Sequence, residues 1–87
     1  MTTAYEVFEA VFDTANDIPE EVLASREALV EQIDDYAFNA MDINLTKEVA
    51  EKIADAYISY EGLDEEGGAY ENAYYYKVIE PLSEIEV

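Results

Sequence analysis

Eighty-seven residues, 51% of them hydrophobic, suffice for one small domain spanning residues 1–87 around one core. Twenty-two Asp and Glu against four Lys and Arg leave a net charge of -18, which excludes a nucleic-acid binder built on basic side chains, while 13% aromatic content excludes an acidic disordered tail. The absence of Cys and His removes disulfides, thiol chemistry, structural zinc and imidazole catalysis together.

The start Met1-Thr2-Thr3-Ala4-Tyr5-Glu6 has neither the basic residues nor the apolar run of a signal peptide. No stretch approaches the ~20 apolar residues of a membrane span, so a cytoplasmic protein without membrane contact is expected. From Thr3 to Asn16, Tyr5, Phe8, Val11, Phe12 and Ala15 recur at helical steps, and Thr3 with Glu6 makes a capping box. Glu6, Glu9, Asp13 and Asp17 fall together on the opposite side of that wheel, as an acidic ridge. Asp17-Ile18-Pro19-Glu20-Glu21 then reads as a cap, a first-turn proline and two N-terminal acids, starting a short helical turn that ends near Ala24.

Ser25 caps a longer helix to about Met41, with Leu29, Ile33, Tyr36 and Ala40 inward and Val30, Ala37 and Met41 flanking them. Glu27, Glu31, Asp34, Asp35 and Asp42 line the other side, and Phe38 lies among them as the one large aromatic expected in solvent. Thr46 caps a third helix to about Glu61, with Val49, Ala50, Ile53, Ala54, Tyr57 and Tyr60 inward and Gly62 as its stop. Lys52 with Glu48 and Lys47 with Glu51 can pair along it.

Leu63 to Gly68 reads as a loop. Beyond it, Tyr70, Ala73, Tyr74 and Val78 fit a helix from Ala69 to Glu80, whereas Tyr74–Ile79 and Ser83–Val87 have strand character with Glu80-Pro81-Leu82-Ser83 as the turn. The fold class expected is therefore mainly α: a bundle of three to four amphipathic helices with an acidic outer face, ending in a helix or a β-hairpin.

Ordinary helix faces mix charge signs because unbroken negative faces repel themselves. Here the first two ridges hold no Lys and only Arg26 at an edge. A salt-rich cytoplasm would screen such repulsion, but fifteen Glu against seven Asp is not the Asp-rich bias expected of that solvent. Asp64-Glu65-Glu66-Gly67-Gly68-Ala69 has its glycines at the fourth and fifth positions, against the sixth that a calcium loop requires. An acyl carrier protein needs a Ser preceded by Asp, and Ser25, Ser59 and Ser83 follow Ala24, Ile58 and Leu82. The clustered carboxylates are expected on outer faces, where their pKa values would not diverge, so neither an enzyme nor a metal or cofactor site is expected. Six of the eight Tyr lie between Tyr57 and Tyr76, either filling the core or forming an interface; a homodimer would double the length of any acidic surface.

Charge and size can be compared with a duplex. A chain of this length has a radius of gyration of about 12 Å and is roughly 30 Å across. B-DNA carries about 18 phosphates over that length. The acids of Glu6, Glu9, Asp13, Asp17, Glu20, Glu21, Glu27, Glu31, Asp34, Asp35 and Asp42, with Phe38, are thus the candidate partner-binding residues.

Tyr5 with Val7-Phe8, Glu27-Ala28-Leu29 through Asn39-Ala40-Met41, Ala54-Asp55, and Glu61-Gly62-Leu63-Asp64-Glu65-Glu66 resemble successive segments of the Ocr family of phage antirestriction proteins. The resemblance runs through Glu66; where that family continues into an acidic helix, this chain has the Tyr-rich Ala69 to Val87. It implies a dimeric DNA mimic whose carboxylates, here those of Glu6 to Asp17 and Glu27 to Asp42, stand for phosphates in the DNA groove of type I restriction-modification enzymes. Other expected partners are a CRISPR effector and, for an acidic module that masks rather than mimics, a basic nucleoid-type protein.

Overall fold

Helix α1 (Ala4–Val11) begins where Thr3, in extended backbone, lets its Oγ1 accept the Glu6 N–H at 3.3 Å. In this computed structural model, residues 2–13, 17–66 and 74–87 are described, with backbone only for 61–66. Ala4, Val7, Phe8 and Val11 are buried at the i, i+3, i+4, i+7 spacing of one helical face. The helix stops short of the expected Asn16: Phe12 is its C-cap, and Asp13 lies beyond. Phe12 has turned out of helical geometry (φ -96, ψ 17) and stacks on Tyr57 with ring centroids 4.2 Å apart. The Thr-Ala-Asn-Asp that follows offers little helical propensity against that contact; Thr14 to Asn16 lie outside the described residues.

Helix α2 (Glu20–Leu23) is a single turn whose N-cap is Pro19 rather than the expected Asp17. The Pro19 carbonyl accepts the Val22 and Leu23 N–H groups at 3.0 and 3.2 Å, and its ring presets φ at -59 for the turn. Helix α3 (Arg26–Met41) starts at Ser25, whose Oγ accepts the Ala28 N–H at 3.3 Å. Its buried stripe is Leu29, Ile33 and Ala37. Ala40, expected inward, is exposed, and the flanking Ala37 is buried instead: Ala40 shares the angle of the buried stripe but stands in the last turn, two residues before the Asp42 cap. At the helix end Asp42 adopts the left-handed conformation (φ 56, ψ 40), and the N–H groups of Asp42 and Ile43 both reach the Ala37 carbonyl.

Helix α4 (Lys47–Glu66) starts at Thr46, which accepts the Val49 N–H at 3.2 Å, and runs back along α3 with Ala50, Ile53, Ala54 and Ala56 buried. Gly62 does not stop it, and the expected loop at Leu63 to Glu66 is helical instead. One interior glycine costs about 1 kcal/mol relative to Ala, which a long packed helix absorbs.

After 67–73, which lie outside the described residues, the chain takes the helical alternative and not the hairpin. Tyr75–Ile79 is a π-helical segment, closed by the Glu80 N–H on the Tyr75 carbonyl, and it leads into α5 (Glu80–Ser83). Pro81 has no N–H and in α register its ring would strike the Lys77 carbonyl; the widened turn accommodates it. Glu80 to Ser83 is thus a helical turn, not the hairpin turn that the strand alternative required of it. The strand character of the last residues survives only as an isolated antiparallel bridge from Glu86 to Thr3, with Ala4 N–H donating to the Ile85 carbonyl at 2.8 Å.

Among the described residues there are five α-helices and no strand, so the architecture is mainly α as expected, and α2 is the short helical turn expected before Ala24. α1 lies across α3, α4 and α5, and the π-helical segment rests on α4. Leu29, Ile33, Ile53, Leu82, Val7, Val11 and Val78 are fully buried, each contributing about 1.5–3 kcal/mol, and no polar or charged side chain among the described residues is buried with them. The radius of gyration is 12.3 Å and the extents are 37 × 30 × 23 Å.

Candidate functional site

A dry core forces the charge outward, and every sequence-predicted site residue is exposed. Glu6 and Glu9 stand on α1, Asp13 just after it, Asp17 and Glu20-Glu21 before and within α2, Glu27, Glu31, Asp34 and Asp35 on α3, and Asp42 at its end. Asp13 and Asp17, expected on one wheel with Glu6 and Glu9, lie beyond the end of α1 instead. Phe38 is 61% exposed, the large apolar surface the spacing predicts.

The ion pairs lie elsewhere. Arg26, at the start of α3, folds away from that helix onto α4: its Nε and Nη2 donate to the two carboxylate oxygens of Asp55 at 2.7 and 3.1 Å, and its Nη1 to Glu51 at 3.4 Å. This fork raises the guanidinium pKa above its usual value, chiefly through the Asp55 hydrogen bond, and holds Asp55 below the ordinary carboxylate range. Lys52 pairs with Glu48 at 3.6 Å as expected, whereas Glu51, expected to meet Lys47, is taken by Arg26. Lys47 instead lines two open hollows between α3 and α4: one of about 430 Å³ with Arg26, Glu27, Val30, Glu31 and Glu51, and one of about 300 Å³ with Val30, Glu31, Asp34, Leu45 and Ala50. Among the described residues, Glu6, Glu9, Asp17, Glu20, Glu21, Glu27, Glu31, Asp34, Asp35 and Asp42 form no salt bridge.

A second feature joins residues far apart in sequence. Phe8 packs on Phe12 at 5.0 Å, Phe12 stacks on Tyr57, Tyr57 touches Tyr60 at 6.5 Å, and Tyr60 meets Tyr74 edge-on at 5.1 Å. The Tyr5 and Tyr74 hydroxyls approach to 3.4 Å, closing the circuit. Phe8, Phe12, Tyr57, Tyr60 and Tyr74, with Glu9, line an open cup of about 360 Å³. Burial pushes the Tyr74 phenol above the usual tyrosine range, with the Tyr5 hydrogen bond and the nearby Tyr60 and Glu9 adding to the shift. The inward spacing of Phe8, Phe12, Tyr57 and Tyr60 was legible in the sequence; their convergence with Tyr74 was not.

No helix among the described residues is long and apolar enough to cross a membrane, and no group of three or more acidic side chains among them is placed to hold a metal ion. No family model, no curated protein and no solved structure matches this chain.

Proposed function

We propose that this protein is a DNA mimic that occupies the DNA-binding cleft of a bacterial defence enzyme, in the first place a type I restriction-modification complex. The observation that carries this reading is the segregation of charge: the acids of α1, α2 and α3 are exposed without salt bridges among the described residues, while Arg26 and Lys52 are spent on α4. On α3, 3.6-residue periodicity sets Glu27, Glu31, Asp34 and Asp35 within an arc of about 100°, opposite the Leu29–Ile33 stripe. Phe38 falls inside that arc, so a partner meeting the acids also meets an apolar ring.

The physics follows from where the charge sits. Carboxylates on helices stand in for phosphates, and the 37 Å long dimension corresponds to about 22 phosphate charges of B-DNA at one per ~1.7 Å, close to the net charge of -18. Attraction to a basic cleft accelerates encounter by about 10–1000-fold and weakens with salt. No turnover is involved. The resemblance to the Ocr family favours the same target, and a CRISPR effector, whose DNA channel is also basic, is the next.

The experiment is inhibition of a purified type I restriction-modification enzyme by the protein and by a variant with Glu27→Gln, Glu31→Gln, Asp34→Asn and Asp35→Asn. We expect inhibition by the parent, relieved by added duplex, and at least about a hundredfold loss in the variant while its helical circular dichroism is kept. Equal potency of the two would remove α3 from the binding surface. A complex that duplex cannot displace would point instead to masking of a basic nucleoid-type protein.

A further inference from the structure

We infer that the aromatic cup between α1, α4 and the π-helical segment seats the guanidinium of a partner arginine. That the partner is a basic protein rests on the DNA-mimic reading; the seat itself is argued from its lining.

Among the described residues, Phe8, Phe12, Tyr57, Tyr60 and Tyr74 supply five of the six lining side chains, and the sixth is the exposed Glu9. The faces of aromatic rings are electrically negative, so such a cup attracts a cation by its quadrupoles and an apolar group by its surface. Glu9 chooses between them. A carboxylate beside the rings disfavours an apolar occupant, which would desolvate it without compensation, and favours a donor that can pair with it.

Arginine fits better than lysine. A planar guanidinium stacks flat on a ring while directing N–H donors sideways to a carboxylate, whereas an ammonium is a compact, strongly hydrated point charge. The cup's volume of about 360 Å³ suits a guanidinium with part of its stem. None of this chain's own Arg26, Lys47, Lys52 and Lys77 lines it, so the cation has to come from outside. In a chain of net charge -18 the surrounding field draws that cation in.

The test is NMR titration of the full chain, selectively labelled on Phe and Tyr, with the blocked tripeptides Gly-Arg-Gly, Gly-Lys-Gly and Gly-citrulline-Gly. We expect saturable shifts of the Phe12, Tyr57, Tyr60 and Tyr74 rings with the arginine peptide, several-fold weaker binding of the lysine peptide, and none with citrulline, the neutral isostere. Glu9→Gln should weaken the arginine peptide about fivefold. Glu48→Gln, which removes the same charge nine residues before Tyr57 on α4, should leave it unchanged. Equal shifts from citrulline, equal affinity for lysine, no effect of Glu9→Gln, or arginine shifts confined to α3 would each overturn the seat. Peptide binding without inhibition of either the restriction enzyme or a CRISPR effector would sink the DNA-mimic reading alone; inhibition without peptide binding would sink the seat alone.

Discussion

Glu31→Gln should make the protein more stable and a worse inhibitor. Glu31 stands four residues after Glu27, three before Asp34 and four before Asp35, all exposed on α3. Like charges at those spacings each destabilise a helix by about 0.2–0.5 kcal/mol, so three of them cost about 1 kcal/mol at low salt, reduced by the attraction of Lys47 across their shared hollow. Gln nearly matches Glu in shape and helix propensity, so little else changes. For a domain of this size 1 kcal/mol moves the melting temperature by about 4–8 °C. Thermal unfolding followed by circular dichroism at about 20 mM salt should show a gain of a few degrees, and at about 1 M salt, where the Debye length is ~3 Å and shorter than the side-chain separation, the gain should vanish. A variant no more stable than the parent at low salt, or one whose gain survives high salt, would refute the idea that these acids repel one another on a shared face.

Asp42→Gly relieves a left-handed residue and removes a negative charge from the C-terminus of α3, so urea denaturation should show a gain of about 1–2 kcal/mol. The carboxyl of Asp55, followed by carbon NMR, should titrate below the ordinary aspartate range and move up to it in Arg26→Gln. Because the folded-state value is the depressed one, the pair's contribution is present above the unfolded value near pH 4 and is lost as pH falls through the folded value, and the variant should lack that step. Ile33→Ala empties a fully buried site in α3 and should cost about 2–5 kcal/mol by chemical denaturation, a large part of the total for such a domain.

What the sequence made legible follows from the range of the interactions involved. Thr3, Ser25 and Thr46 announce helix starts because a cap is a contact with a backbone N–H three residues away. The exposure of the acids was equally legible, since a core without polar partners admits no carboxylate. Two helix ends, near Ala24 and at Met41, were legible as well; the other two were not, because Phe12 leaves α1 for Tyr57, forty-five residues on, and α4 continues past Gly62. Arg26 was placed at the edge of an acidic side because its true partners, Glu51 and Asp55, belong to another helix. The cup needed Tyr5 and Tyr74 to meet across 69 residues, information that no local pattern contains.

The acids are tolerated because the rules of helix design are broken selectively. N-caps and apolar stripes follow ordinary practice, whereas among the described residues no α-helix carries a basic residue in its last turn, a position worth about 0.3–1 kcal/mol each. The rule that calls for a cation is ignored at every one of these helix ends, so the bias acts on charge more than on folding. Adaptation to a salt-rich solvent and mimicry of DNA would both produce that bias, and they differ in what happens when salt is withdrawn. A salt-adapted domain depends on screening, while a mimic has to remain folded in dilute buffer, and here an apolar core that fully buries Leu29, Ile33, Ile53, Leu82, Val7, Val11 and Val78 supplies stability that salt does not control. At about 10 mM salt, where the Debye length reaches ~30 Å and spans the whole molecule, the protein should keep its helical signal and unfold cooperatively on heating. Loss of that signal on dialysis, regained with salt, would transfer the acidic surface from partner recognition to the solvent.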